Sequence, residues 1–237
     1  NTIFKIDKGI NMPKEIILGY EVERKKVKNI NLRVYSDRKI YISAPMNLDS
    51  GYIENFIRSK KSWIEEIQQK LDKIPKAEVL QYITGEKLYY LGVIYELEVA
   101  LSNENRVFLH EGKMILKVKE DTFELKKNVV SRWYFEKSKV LFKELMEKYL
   151  KLMNEEIDHL SIKKMKSRWG SCNHRKKYIN LNVELIKKPL VCVEYVVVHE
   201  IAHLRHPNHS KDFYYHIERY MPDYKKREDL LNRRFVL

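Results

Sequence analysis

Two cysteines, seven glycines and six prolines in 237 residues leave this chain with few covalent staples and little turn punctuation. Cys172 and Cys192 offer no disulfide framework, so a small secreted scaffold is excluded and a cytoplasmic setting is expected. No run approaches the roughly 18 consecutive apolar residues of a membrane-spanning helix, which argues against a membrane protein of that kind. The opening stretch NTIFKIDKGINMPK has no apolar h-region, so no secretory signal is expected. It also lacks an initiator Met, as a trimmed or partial chain would. Neither internal repeats nor low-complexity tracts stand out. Enough apolar side chains are present (44% hydrophobic, 11% aromatic) to fill a proper core in one domain or two modest ones.

Acidic residues are scarce in one half only. Residues 1–124 hold 21 lysines and arginines against 19 acids, a net of +2, whereas residues 125–237 hold 25 against 14, a net of +11. A solvated basic surface accounts for this excess; so does a field that draws in an anionic small molecule or nucleic acid.

That basic half carries the strongest motif, Val193–Ser210, VEYVVVHEIAHLRHPNHS. On a helix His199 and His203, four residues apart, lie on one face and can share a metal ion about 2.0–2.1 Å from each nitrogen. Glu200, turned by about 100° from His199, can hold a water beside that ion as general base. A catalytic zinc takes three protein ligands and leaves a position open. His209, six residues past His203, is the candidate third ligand; His206, Asp212 and Glu218 rank behind it. Chance matches to HExxH occur in helices. Here the apolar run Tyr195–Val198 and the five histidines between His199 and His216 favour a metal site over a structural histidine cluster. The three histidines keep the spacing of H-E-x-x-H-x-x-G-x-x-H, but His206 stands where that pattern has glycine, and no Met-turn follows. Pro207 disfavours helical backbone at His206, so the helix should end there, with Asn208 able to turn the chain in a left-handed conformation.

The rest of the pattern predicts an α+β protein: a β-rich N-terminal domain with one helix over 1–124 and a metal-binding domain over 125–237. Strands are expected in EIILGYEVERKK (15–26), NINLRVYSD (29–37) and KIYISAP (39–45), with a hairpin turn at Ser36–Lys39. Asp49 or Ser50 should cap a helix over 51–72 with Ile53, Phe56, Ile57, Trp63, Ile64, Ile67 and Leu71 inward, stopped by Pro75. Four further strands, KLYYLG, VIYELEVAL, RVFLH and KMILKVKE, suggest a meander. From Glu124 the pattern becomes one long helix with a stripe of Val129, Trp133, Val140, Leu141, Leu145, Leu152 and Met153.

Beyond it, Ile162–Ser167 and Tyr178–Asn182 read as two strands joined through Arg168–Cys172, and Pro189 suits the first turn of the motif helix. An edge strand beside such a helix can pair with an extended substrate. Ile179–Asn182 (INLN) is the candidate, with Asn180 and Asn182 as substrate contacts. Arg168 offers a forked donor for a carboxylate or phosphate, or for a structural salt bridge. Cys172 could add a ligand or nucleophile, but three histidines already fill a zinc. Gly170 serves backbone geometry.

SRWGSCN (167–173), YINLN (178–182) and YVVVHEIAHLRHPNHSKDFY (195–214), in this order and spacing, resemble the YgjP-like metallopeptidase family of zincin-like metal-dependent hydrolases. The resemblance implies a minimal zincin-like domain with a small antiparallel sheet and one Zn2+, with His199, His203 and His209 as ligands and Glu200 as base; an imidazole site accepts Co, Ni and Cu as well. The family is similar to SprT-like and WLM proteases that act near DNA, and one relative is described as a UTP pyrophosphatase. Three functions are therefore weighed: a zinc-dependent hydrolase of peptide bonds; a nucleoside triphosphate pyrophosphatase using the same metal, resting on the basic half and Arg168, with Arg175, Lys176 and Lys177 nearby in the hairpin turn; and a DNA-associated, non-catalytic module whose metal holds the fold.

Overall fold

The computed structural model describes residues 14–34, 38–72 and 80–232. They separate into two compact units, residues 14–72 and residues 80–232. The change from strand to helix at 124/125, expected to be a domain boundary, falls inside the second unit.

In the first unit, β1 (Lys14–Ile17) and β2 (Tyr20–Lys25) form a hairpin across Leu18-Gly19. Both turn residues have positive φ, +51° and +81°, as a two-residue turn matched to strand twist requires. The continuous strand expected over 15–26 is thus cut in two. With β3 (Asn31–Val34) and β4 (Ile40–Pro45) the sheet runs β1-β2-β4-β3, parallel only between β2 and β4. Asp49 Oδ1 accepts the N–H groups of Gly51 and Tyr52 at 2.8 and 3.3 Å and starts α1 (Ser50–Asp72). Ile53 and Ile57 of α1 join Val22, Ile42 and Ala44 in one core. Trp63, expected on the same stripe, is exposed; Ile64, seven residues after Ile57 and so nearly two full turns on, is the buried one. The turn expected at Ser36–Lys39 lies partly, and the stop at Pro75 wholly, outside the described residues.

The second unit opens with β5 (Lys87–Tyr90), β6 (Val93–Leu101), β7 (Arg106–His110) and β8 (Lys113–Val118). The expected meander is not formed, because β8 slots between β6 and β7 and runs parallel to β6. The order β5-β6-β8-β7 and its strand directions duplicate those of the first sheet. Leu91-Gly92, at φ +50° and +82°, stands where Leu18-Gly19 stands. The chain therefore contains a repeat of topology that its sequence does not advertise.

Thr122 caps α2 (Phe123–Met153), which ends at Asn154 in the left-handed region. Its buried line runs through Val130, Tyr134, Phe142, Leu145, Met146, Tyr149 and Met153. The stripe expected from sequence shares only Leu145 and Met153 with it, and Val140 and Leu152 are exposed. Two polar members disguise the true line. Buried Lys126 pairs with Asp121 at 2.6 Å, and Ser138 donates to the Phe135 carbonyl at 2.8 Å.

A second sheet follows, β9 (His159–Lys163), β10 (Gly170–Asn173) and β11 (Tyr178–Asn182), in the order β10-β11-β9. It is mixed, not antiparallel as expected: β11 pairs antiparallel with β10 and parallel with β9. The strand expected at 162–167 sits at β9, and the expected joining loop supplies β10. Pro189 opens α3 (Leu190–Arg205), followed by α4 (Lys211–Tyr220) and α5 (Tyr224–Asn232). Val193, Tyr195–Val198, Ile201 and Ala202 are all buried, so α3 is a core helix. Glu194 fixes its rotation by accepting from Lys148 and Tyr149 of α2, at 3.1 and 3.0 Å, and from Arg227 of α5 at 2.7 Å. Among the described residues no helix is long and apolar enough to cross a membrane.

Candidate metal centre

His199 and His203 project from the last two turns of α3, and His209 comes back from the loop before α4. Helix α3 stops at Arg205, and His206 is extended (φ −120°, ψ 91°) ahead of Pro207, as the proline demands. Asn208 does not take the left-handed conformation expected of it. The loop closes instead with the Ser210 N–H on the Asn208 carbonyl at 2.8 Å, and the Ser210 hydroxyl then caps α4 through the Phe213 N–H.

One ligand atom from each of the three imidazoles lies within 4.8 Å of the others. His199 Nε2 and His209 Nε2 are 3.1 Å apart. Two nitrogens bound tetrahedrally to one ion at 2.0–2.1 Å would be about 3.3 Å apart, so the pair fits a shared metal. The Nδ1–H of His203 donates to the His206 carbonyl at 3.0 Å, which leaves its Nε2 lone pair for the ion. Burial lowers the His199 imidazole to about 3 and lowers His203 as well, with neighbouring histidines adding to both shifts. Both rings are therefore neutral near pH 7 and available as donors. No fourth histidine, cysteine or carboxylate joins the group among the described residues.

Glu200 is buried, and its Oε2 has no hydrogen-bond partner among the described residues. Burial pushes its carboxyl up to about 8, against the opposing pull of the Arg168 guanidinium. Its side chain lies across β10 at Gly170, where a Cβ would come within 2.6 Å of Glu200 Cγ and 2.7 Å of Cδ. Glycine is required at this close approach, a more specific reason than the general backbone role expected of it.

A cavity of about 320 Å³ opens over these groups, lined also by Arg168, Ser171, Cys172, His174 and Pro207. His174 stands outside every motif in the sequence. So does the role of Phe213, fully buried on α4, whose ring lies 5.0, 4.6 and 4.8 Å from those of His199, His203 and His209 and is stacked on that of His203. The one signal for Phe213 was its place four residues after His209 on an amphipathic helix. Cys172 reaches the cavity, but burial and the nearby Glu200 push its thiol up to about 12, which disfavours the thiolate that a nucleophile or ligand needs.

Asn180 and Asn182 do not line the cavity. Asn182 is buried, and its amide binds the Met165 and Arg168 carbonyls at 3.0 Å and the Glu184 N–H at 3.2 Å. It shapes the loop that presents Arg168. Asn180 donates to Ser171 Oγ at 3.2 Å. The INLN strand is the middle strand of its sheet and has no open edge; the edge beside α3 belongs to β10.

No curated protein matches the chain. Among solved structures it is similar to two metallopeptidase zymogens. One is abylysin of Pyrococcus abyssi, at 22% identity over 37% of this chain and 89% of that one, with a TM-score of 0.35. The other is jannalysin of Methanocaldococcus jannaschii, at 23% identity over the same shares, with a TM-score of 0.33. A family model described as YgjP-like, metallopeptidase domain matches residues 28–234, most of the sequence. The chain belongs to that family.

Proposed function

We propose that this protein is a zinc-dependent peptidase in which Glu200 is the general base and His199, His203 and His209 hold the metal. The carrying observation is the convergence of three imidazoles beside one buried carboxylate, whose Oε2 has no hydrogen-bond partner among the described residues, in a single cavity. Three protein donors without a fourth favour a working site over a purely structural one.

The chemistry supplied by a bound zinc ion is Lewis acidity towards the scissile carbonyl and a lowered pKa for water, towards about 7. A nearby cation also favours the ionised form of Glu200, which makes the carboxylate a base near neutral pH. Glu200 takes the proton of the attacking water and returns it to the departing amine. The β10 edge, which lies beside the helix of Glu200, aligns an extended peptide by backbone hydrogen bonds, the role expected of INLN. Arg168, which lines the cavity, meets a carboxylate on the substrate. The two free cysteines suit a cytoplasmic setting.

Glu200→Gln should retain zinc at one ion per chain and lower kcat on a casein-derived peptide by at least about 10²-fold. His203→Ala should lose both zinc and activity. Full activity in Glu200→Gln removes Glu200 from the chemistry. In a parallel assay, pyrophosphate release from nucleoside triphosphates without peptide cleavage would replace this reading.

A further inference from the structure

The second unit holds another cavity, about 420 Å³, that shares no lining residue with the metal centre. It lies between α2, the end of β9 and the short 3-10 turn Val183–Lys187. Four lysines line it, Lys127, Lys163, Lys164 and Lys187, against one acid, Glu184. Glu184 pairs with Lys187 at 2.7 Å and, at 4.0 Å, with Lys164. Lys127 is held by Glu124 at 3.3 Å, and Lys163 has no ion-pair partner among the described residues. The cavity thus carries an uncompensated positive charge.

Its apolar wall is built at a cost. Tyr82 lines the cavity with φ +55°, a left-handed backbone that an aromatic residue rarely adopts. The Glu86 carboxylate enforces it by accepting the N–H groups of Gln81, Tyr82 and Ile83 at 2.8, 2.7 and 3.3 Å. Tyr134, whose hydroxyl donates to the Tyr89 carbonyl at 2.7 Å, lies under the Lys187 ammonium, 4.9 Å from the ring centre. The Glu86 carboxylate holds the strained backbone, and with it the Tyr82 ring, in place beside the cavity, as a preorganised binding wall would need.

We propose that this cavity binds one small organic anion, with a phosphate-like group on the lysines and an aromatic ring against Tyr82 and Tyr134. The volume suits a ligand of that size. Lysine ammoniums meet phosphate as point charges, while the two tyrosines discriminate in favour of a flat apolar group. The site is independent of the peptidase reading.

Calorimetric titration of the full zinc-loaded chain with phenyl phosphate, inorganic phosphate and phenol tests the proposal. One saturable site is expected for phenyl phosphate, at least about tenfold tighter than for inorganic phosphate, with none for phenol. The double change Lys163→Glu, Lys164→Glu, at two exposed positions, should weaken phenyl phosphate by at least about tenfold and leave zinc content unchanged. Tyr82→Leu should abolish the preference for the aromatic ligand. Absence of saturable binding, equal affinity for the two phosphates, or binding that survives the lysine reversal, as attachment at the metal centre would, overturns it.

Discussion

In the first unit the sheet β1-β2-β4-β3 packs α1 over a core of five buried apolar residues. In the second, a sheet of equal order and direction leads into the 31-residue α2, and three more strands and three more helices build the candidate metal centre beyond it. One strand arrangement thus occurs twice, and the candidate site residues lie in the elements that follow the second occurrence. Burial shows the same division. Among the described residues the first unit buries one polar side chain, Ser43; the second buries Lys126, Ser138, Asn182, Glu200 and His216. Desolvating a carboxylate and an imidazole is costly, and such groups gather where a site needs them.

The largest effect expected to separate the units is a core truncation beneath the candidate metal centre. Phe213→Ala should cost about 3–5 kcal/mol in urea unfolding, and zinc affinity should fall by about 10–100-fold because the ring that props three imidazoles is gone. Ile57→Ala should cost about 2–5 kcal/mol in the first unit and leave zinc affinity unchanged. An equal loss of zinc in Ile57→Ala would break the division into two cores.

Next in size is a pH effect confined to the second unit, measured on zinc-free protein. Glu200, raised to about 8 in the folded state from an ordinary 4.5, contributes stability that is complete below pH 4.5 and is lost as the pH rises towards 8. His199, lowered from 6.5 to about 3, contributes stability that is complete above pH 6.5 and is lost as the pH falls towards 3. Between pH 4.5 and 6.5 the two slopes oppose each other. From 6.5 to 8 only Glu200 remains, so zinc-free stability should fall by up to about 1.4 kcal/mol per pH unit. Glu200→Gln should flatten this limb, and so should zinc, which favours the carboxylate. A limb that persists in Glu200→Gln would assign it to another group.

Local chemistry explains how much of this the sequence disclosed. The α3 motif was legible because helix period, ligand spacing and Pro207 each act over a few residues. Most strands were legible for the same reason, β10 excepted because its pattern is that of a loop, but pairing was not. No local feature says that β8 inserts between β6 and β7, or that β11 sits in the middle of its sheet, since both depend on partners distant in the chain. The α2 stripe was misread because Lys126 and Ser138 are polar yet buried, each satisfied by a partner that the period cannot reveal. The repeat escaped notice although Leu18-Gly19 and Leu91-Gly92 mark it, because two residues in a turn weigh little against divergent strands.

Those two turns supply the smallest and sharpest test. Gly19 and Gly92 have nearly equal φ, +81° and +82°, so alanine meets similar backbone strain at both, about 1 kcal/mol. Their surroundings differ. A Cβ at Gly19 meets nothing within 4 Å, whereas one at Gly92 would come within 2.7 Å of Pro189 Cγ and 2.8 Å of its Cα. The second hairpin is also tied down, by Leu91 N–H to the Ile186 carbonyl at 2.9 Å and Gly92 N–H to that of Lys187 at 3.2 Å. Gly92→Ala should therefore cost roughly 1 kcal/mol more than Gly19→Ala in urea unfolding. It alone should also lower zinc affinity, because Pro189 opens the helix that carries His199 and His203. Equal costs, with zinc binding untouched in both, would mean that the repeated turn does no more in the second unit than in the first, and that α3 is set by Glu194 and its core contacts alone.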